Sequence, residues 1–463
     1  LTFAKAPNST FSGSAHLAGD LVILEIERSQ TPDLASTHHE PFFDSSAVKS
    51  IEEYLSTVAA GVRTLTGYDR TLIYKFDEDW NGVVAAESKE ASLVPWLGLH
   101  FPASDIPKQA REIFLLNWIR TIADVNYIAS PIIAKPGDQP AKPLDLSKSL
   151  LRAVSPIHLE YLRNMEVAAS MTISIICNGR LWGLIACHHG TPKYVNPSLR
   201  FLCALLAKTV SYQISLLEQN HLKKAERRIC SLVAELEKTL AQIPVFESAV
   251  ENVIKTIKEL IPSDGTVIFQ ESKMHSEGRV PETEQLIKLH GWLKTNVADH
   301  FATSNLAASY EGAEEITVTA SGLLAIRVNS GFITWCRGEL VREVAWAGDP
   351  DKAASQESPG GALHPRKSFA EWKTLKKGTS TGWATAEIAA AQVLRETFER
   401  KSKGNSGAMP VLGQAAQQYT EKLLRTIRDE KRQPNKLGGT TDQSKPSKWD
   451  QILGRGQTEN DNT

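Results

Sequence analysis

The sequence predicts a mixed α/β (α+β) protein: antiparallel sheets with flanking helices, arranged in two units joined by one long helix. Three observations predict this. Short apolar segments bounded by turn residues occur at Thr71–Phe76, Gly82–Ser88, Val167–Asn178 and Leu181–His188, and the last two flank Asn178-Gly179, a strong two-residue hairpin signal. Their order, strands then helix, long loop, helix and hairpin, suits an antiparallel sheet with helices on its faces. Finally, Pro197–Leu240 has no internal Pro or Gly, and apolar residues recur every three or four positions, from Leu202, Leu205 and Leu206 to Leu236 and Leu240. A helix of that length spans ~65 Å, more than one small domain, so it joins two.

Each element has its own local reason. Residues 1–15 read as polar and irregular, and His16–Arg28 reads as a short strand behind a Gly-Asp turn. Gln30–Ser46 is a polar, Pro-containing linker. Ala47–Thr66 carries Ile51, Leu55, Val58 and Val62 on one helical face. Ser130–Leu146 is a Pro-rich loop. The long helix is favoured as continuous over a pair of helices broken near Glu218–Lys224. A second unit follows, with a helix at Val245–Leu260, strands near Gly265–Gln270, Gly322–Val328 and Phe332–Arg337, a Gly/Pro/Ser-rich loop at Asp349–His364 and a closing helix at Trp383–Lys401. Ser402–Thr463 is polar and poor in aromatics, the composition of a disordered tail, with room for a modest helix at Gln414–Arg432.

Composition removes several function classes. The 463 residues exceed one ordinary core, and 41% hydrophobic with 23% charged residues is a globular balance. A formal net charge of −1 argues against a dominant nucleic-acid surface. The longest apolar runs are too short to cross a bilayer, and no signal peptide is visible. The five cysteines, Cys177, Cys187, Cys203, Cys230 and Cys336, are scattered without metal spacing, which suits a reducing, cytoplasmic setting. The chain begins mid-pattern without an initiator Met, as a fragment would.

Chemistry concentrates in Phe101–Arg120, FPASDIPKQAREIFLLNWIR. Asp105 stands between two prolines, as a helix cap ahead of Pro107 would. Arg111 and Arg120 follow on an apolar stretch, where charges are costly unless paired. Nine residues apart, they lie roughly half a turn out of phase on a helix, so they cannot serve one site; Arg120 shares a face with Ile113 and Leu116. In Cys187-His188-His189 a strand sends alternate side chains to opposite faces, so only one histidine can enter a pocket. His158 follows Ser-Pro-Ile, where it could cap a helix, and Tyr74 in a strand reads as core.

These residues carry a family resemblance. FPASDIP resembles the signature of the chromophore-binding GAF domain of phytochromes. YDRTLIYKFDEDWNGVVAAE (Tyr68–Glu87), LRAVSPIHLEYLRNM (Leu151–Met165) and LWGLIACHHGTP (Leu181–Pro192) resemble further blocks of that domain in the same order. WCRGELVREVAWAGDPDK (Trp335–Lys352) and PRKSFAEW (Pro365–Trp372) resemble the two limbs of the tongue of a PHY domain. The implied organisation is the end of a PAS domain at 1–33, a GAF domain at 34–215, a connecting helix at 216–243, a PHY domain at 244–400 with its tongue near 335–372, and a tail at 401–463.

The resemblance implies a red/far-red photosensory module that binds a linear tetrapyrrole (bilin). By resemblance, the backbone carbonyl of Asp105, beside Ile106, accepts from ring nitrogens, and its carboxylate faces the tongue. His158 lies over the rings, and His188 bonds the carbonyl of the ring that rotates. Arg120 and Arg152 hold the propionates, with Ser155, Ser170 and Thr172 as hydroxyl partners. Tyr74, Phe101 and Tyr161 line the rotating ring's cavity. Arg366 pairs with Asp105 in the dark, Ser368 replaces it after light, and Trp335, Trp346 and Trp372 change packing between tongue states.

The pattern resembles the biliverdin-binding bacteriophytochrome type. Plant and many cyanobacterial phytochromes attach their bilin to a Cys just before the His of the LEYLRNM-like block; that position is Ile157 here. Bacteriophytochromes use a Cys ahead of the PAS domain, and none of the five cysteines matches either site, so biliverdin is expected to bind without a covalent bond. Output is expected to be conformational, along the long helix of a parallel homodimer, toward a histidine kinase and response regulator; no kinase module follows residue 395, so the chain itself is not expected to be an enzyme. Neither a membrane nor a nucleic acid is an expected partner. Two other readings fit part of the sequence: a GAF regulatory domain binding a cyclic nucleotide, which would also use Arg120 and Arg152, and a pigment-free dimerisation scaffold.

Overall fold

The structure, a computed structural model, describes residues 10–29, 50–133, 144–241, 250–270, 273–328, 331–350, 354–356 and 363–402. The linker around 30–49, part of the Pro-rich loop and everything after 402, including Gln414–Arg432, lie outside the described residues.

The chain opens with a hairpin in which β1 (Thr10–Ala18) and β2 (Leu21–Ser29) pair antiparallel across Gly19-Asp20. This corrects the reading of one strand from His16 behind irregular chain. The left-handed backbone of Gly19 (φ 58°) reverses the chain inside the span read as continuous, and the polar Thr10–His16 run offers no apolar alternation to flag β1.

α1 (Ile51–Thr66) follows, its start capped by the Ser50 hydroxyl, which accepts from the Glu53 N–H at 3.2 Å. The first large sheet uses β3 (Arg70–Phe76), β4 (Gly82–Lys89), β5 (His100–Phe101), β6 (Ile119–Ile122), β7 (Ala169–Cys177) and β8 (Arg180–His189), in the order β5-β4-β3-β8-β7-β6. Asn178 (φ 53°) and Gly179 (φ 78°) form the expected turn between β7 and β8, with both residues left-handed. α2 (Lys108–Leu116) and α3 (Pro156–Asn164) lie on one face of this sheet. α1 and α4 (Pro197–Ala241) close the other, where Tyr54, Leu55, Val58, Cys203, Leu206 and Ile214 pack on Ile73, Met171, Ile173 and Ile185.

α4 is one continuous helix of 45 residues, as the apolar spacing predicts. By length and composition its first half, Pro197–Asn220, could pass for a membrane span. One face is instead built into the domain core, while Phe201, Leu205 and Tyr212 stand open on the other.

The second unit contains α5 (Val250–Leu260), β9 (Gly265–Gln270), β10 (Lys273–Gly278), α6 (Thr283–Asn296), β11 (His300–Thr303), α7 (Thr317–Ala320), β12 (Gly322–Val328) and β13 (Gly331–Arg337). Its strand order is β10-β9-β13-β12-β11. Two terminal hairpins and one intervening strand are thus arranged as in β4-β3-β8-β7-β6 of the first unit. α6, β10 and β11 escaped the sequence reading; polar residues such as Lys273, His275 and Glu277 interrupt any apolar period in β10, whereas Leu286, Leu289 and Leu293 were an available helical signal for α6.

From β13 the chain leaves as β14 (Arg342–Ala347), passes β15 (Ala354–Gln356) and β16 (Leu363–Pro365), and returns as β17 (Glu371–Lys376) to α8 (Thr385–Ser402). β15 and β16 pair inside the span read as loop. β14 and β17 pair antiparallel with Trp346 opposite Trp372, and β14 joins the first sheet through Trp346 beside His100 on β5. The first sheet therefore has eight strands, and its far edge belongs to the second unit.

Candidate functional site

The two faces of the first sheet have different chemistry. Along β7 and β8, Met171, Ile173, Ile185 and Cys187 enter the α1/α4 core, so the alternate residues Ser170, Thr172, Ala186 and His188 point to the opposite face. Register places His188 opposite Ser170 on one side and Arg70 on the other, and Thr172 opposite Arg120 of β6. Tyr74 of β3 joins this face. A Cβ at Gly82 would stand 1.7 Å from the Tyr74 ring, so glycine on the neighbouring strand is what gives that ring its place.

α3 brings His158 and Tyr161 over the same face, with their rings nearly parallel and 6.3 Å apart. His158 is the third residue of α3 rather than its cap; Ser155 holds the cap position and makes no side-chain capping bond. His158 retains open surface although protein surrounds it, so it borders a pocket. Desolvation, with Arg120 nearby, pulls its pKa down to about 4. His188 is pulled down to about 3 by burial, then by Arg70 and His158. Both imidazoles are therefore neutral at pH 7. Among the described residues, the Nδ1 of His188, the hydroxyl of Tyr74 and the Nε of Arg152 are buried without a protein hydrogen-bond partner.

Arg120 corrects the sequence reading. The helix ends at Leu116, and Arg120 stands on β6, so phase on a helix does not govern it. From there one guanidinium nitrogen reaches the Ala153 carbonyl at 3.5 Å, beside Arg152. Burial and the charge of Arg152 lower its pKa to about 10. Among the described residues no carboxylate forms an ion pair with Arg120 or Arg152. Arg111, by contrast, stacks on Trp80 at 4.5 Å and donates to the Ile106 carbonyl at 2.6 Å.

Asp105 does not cap α2. It closes a single 3-10 turn, Ala103–Asp105, and Pro107 occupies the cap position. Its side chain is 3% exposed while the residue as a whole is partly open, so its open surface belongs to the backbone. The carboxylate accepts from the Tyr161 hydroxyl at 2.9 Å and from Arg366 at 2.5 Å. Burial pushes its pKa up, against the pull of Arg366 and Tyr161. Arg366 also donates to the Ala347 carbonyl, faces the rings of Phe101 and Phe369, and offers its own carbonyl to the Asn164 amide at 3.1 Å. Phe369 meets Tyr161 edge-on at 5.1 Å. The hairpin from the second unit thus closes over Asp105, Phe101 and Tyr161.

Other residues lie apart. The Ser368 hydroxyl accepts from the Ala370 N–H at 3.4 Å and does not touch Asp105. Trp335, read as a tongue residue, is fully buried on β13 and donates to the Ile257 carbonyl at 3.0 Å; the hairpin starts only after it. Trp346 stacks toward His100, and Trp372 is half exposed. The four cysteines whose side chains are described are buried: Cys187 faces away from His188 on the same strand, and burial pushes Cys177 up to about 11 and Cys187, Cys203 and Cys336 up to about 12. His189 turns outward to Asp69 and Thr191, as strand alternation requires.

Sequence reasoning missed a cluster behind His188. Arg70 pairs with Glu87 at 3.5 Å and stacks on Trp96 at 3.8 Å, and Trp96 meets His188 edge-on. An Arg in a strand followed by a Glu in its hairpin partner was the available signal.

Comparison with known proteins places this geometry. The GAF domain model matches residues 50–216, and the phytochrome region model matches 230–405. The photosensory core module of the Stigmatella aurantiaca phytochrome superposes with a TM-score of 0.72 at 37% identity, covering 86% of this chain and 81% of that one. The chain belongs to the phytochrome family. A bacteriophytochrome from the photosynthetic bacterium R. palustris gives a TM-score of 0.73 at 32% identity over 86% of this chain and 81% of that chain. Cyanobacterial phytochrome B of Nostoc is 37% identical over 84% of this chain, and a bacteriophytochrome of Xanthomonas campestris is 32% identical over 86% of it. The chain spans only 53% and 66% of the length of those two relatives. Within this phytochrome, α2, α3 and the pocket belong to the GAF match, and the hairpin closing over Asp105 belongs to the PHY match.

Proposed function

We propose that this chain is the photosensory part of a red/far-red light receptor and that the GAF pocket holds biliverdin without a covalent bond. The observation that carries this reading is His188, neutral and with Nδ1 unpartnered among the described residues, on the same sheet face as Arg120 and Arg152, two cations with which no described carboxylate forms a close ion pair. A flat, conjugated dianion with a terminal carbonyl needs that combination: apolar and aromatic walls, one donor at its end and cations for its carboxylates. The buried polar atoms of His188, Tyr74 and Arg152 fit such a group, since each lacks a protein partner.

A bound bilin would supply light absorption and double-bond isomerisation. The chain's part is to bind, orient and respond. Arg120 and Arg152, with Ser155, Ser170 and Thr172, hold the carboxylates. The Asp105 backbone, beside Ile106, accepts from the pyrrole N–H groups under His158. His188 donates to the carbonyl of the mobile ring among Tyr74, Phe101 and Tyr161. The Asp105–Arg366 pair is the dark arrangement of the hairpin, and Ser368, two residues on, is the alternative partner. Trp346 and Trp372 repack with it. The signal then leaves along α4 and α8. Phe201, Leu205 and Tyr212 suit a homodimer contact, and a histidine kinase output in the full-length protein is the further expectation. Buried free thiols suit the cytoplasm.

Co-expression with a haem oxygenase and an absorption spectrum test this. Red-absorbing protein that photoconverts reversibly is expected, with pigment lost in acid urea because no cysteine holds it. Colourless protein that binds a cyclic nucleotide would overturn the reading.

A further inference from the structure

We propose that Glu25 of the N-terminal hairpin is a positioning residue for the carboxylate grip of the GAF pocket: it fixes the chain at Leu150 and Leu151 so that Arg152 stands beside Arg120. The inference rests on the proposed bilin reading and adds to it a residue from outside the GAF domain.

The contact is specific. The Glu25 carboxylate accepts from the Leu150 N–H at 2.9 and 2.8 Å through its two oxygens, and from the Leu151 N–H at 2.8 Å. Its side chain is 9% exposed, and His16 stands 3.9 Å away, itself 3.4 Å from the Ser149 hydroxyl. Charge-assisted bonds to consecutive amides fix a short backbone stretch in place and direction. The next residue is Arg152, and the one after it offers the carbonyl that Arg120 reaches.

This stretch needs a holder. Arg120 and Arg152 repel, as the lowered pKa of Arg120 reflects; among the described residues no carboxylate forms a close ion pair with either, and Asp145 attracts Arg152 only from longer range. Chain free to relax would let them separate. Glu25 prevents that from outside, because its own strand is anchored two residues on: Glu27 pairs with Arg200 of α4 and accepts from the Tyr194 hydroxyl at 2.9 Å. The path therefore runs from α4 through β2 to Arg152. Glu25 touches no ligand on this account and acts only through the backbone.

The test compares biliverdin with its dimethyl ester, which lacks the charged carboxylates, by absorption titration of the pigment-free chain. Glu25→Ala is expected to weaken biliverdin binding about tenfold and to leave ester binding within about twofold. Glu25→Gln keeps one acceptor and the fold, and should fall between. Combined with Arg152→Ala, Glu25→Ala should add almost nothing further. Equal losses for acid and ester, or additive losses with Arg152→Ala, would overturn the inference and leave the bilin reading standing. Hydrogen exchange of the Leu150 and Leu151 amides in pigment-free Glu25→Gln is a separate readout: faster exchange is expected, and unchanged exchange overturns the inference. Wild-type protein that binds neither pigment overturns the bilin reading itself.

Discussion

The GAF and PHY sheets share a strand order but fill one face differently. In the PHY sheet, Val267, Phe269, Leu323, Ala325 and Phe332 meet Leu286, Leu289 and Leu293 of α6 in a continuous apolar core. The other face is equally filled, with Trp335 against α5 and α8. In the GAF sheet the α1/α4 face is packed that way throughout, while the face under α2 and α3 is apolar around Leu72, Phe76, Val84, Phe101 and Phe114 and polar beside them. The face under α2 and α3 carries Ser170, Thr172, His188 and Arg120 where the PHY sheet carries hydrocarbon. A fold that can close both faces with Leu and Phe has left part of one polar, around His188 and Arg152, whose buried nitrogens have no hydrogen-bond partner among the described residues. The difference locates function on one face of one sheet.

The largest expected effect comes from the contact that links the two units. Arg366→Ala leaves the Asp105 carboxylate buried with only Tyr161, and breaking a buried pair by removing one partner costs about 3–5 kcal/mol. The cost should fall on hairpin docking rather than on either core. Hydrogen exchange should rise across Arg342–Ala347 and Glu371–Lys376 while Ile173, Ile185 and Ile333 stay protected. Loss of protection in the PHY core as well would break the division between site and scaffold.

Next comes the filled face. Trp335→Phe removes an N–H that satisfies the buried Ile257 carbonyl, a loss of about 1–3 kcal/mol. Thermal melting should report it, and any pigment's absorption and photoconversion should stay unchanged. Altered photoconversion would return Trp335 to the switch, against its place in the core.

The comparison also explains what could be read from the sequence. The strands β3, β4, β7, β8, β9, β12 and β13, the long helix and the Asn178-Gly179 turn were legible because apolar period and turn chemistry are local. Strand alternation also separated His188 from His189 correctly. Arg120 was misplaced because a helix and a following strand of similar composition differ only at the break, which falls at Asn117 where no Gly or Pro marks it. Asp105 looked like a cap because an Asp just ahead of Pro has that form locally; its partner Arg366 lies 261 residues away, and the family resemblance, not any local pattern, named it. β1 and Glu25 were missed for the same reason, since a polar strand gains its meaning from what it docks on.

A smaller effect should follow from making the GAF face resemble the PHY face at one point. His188→Phe removes an unpartnered buried Nδ1 and keeps a ring to meet Trp96. Replacing an unsatisfied polar group by an apolar one of similar shape should stabilise the pigment-free protein by about 1 kcal/mol, read as a higher Tm. The same change should blunt the pigment's spectral shift on photoconversion. A lower Tm would mean that His188 already has a structural partner.

The finest test of the contrast is pH. His158 and His188 have pKa values near 4 and 3 in the folded chain, below the ordinary 6.5 that the unfolded chain restores. Below pH 6.5 the unfolded state therefore takes up protons that the folded state refuses, so stability is complete above that value and declines as pH falls toward 4. The folded state catches up only once its own imidazoles protonate, so the decline flattens near pH 3. His290, on α6 against Phe269, is lowered as well, chiefly by burial, and shares the direction. Melting curves from pH 8 to 4 on wild type, His188→Phe and His290→Phe separate the two domains. If the pocket face dominates, His188→Phe should flatten the acid slope more than His290→Phe does. Equal slopes in all three proteins would show that the polar face costs the fold nothing in acid, and the contrast between the two sheets would then reduce to shape.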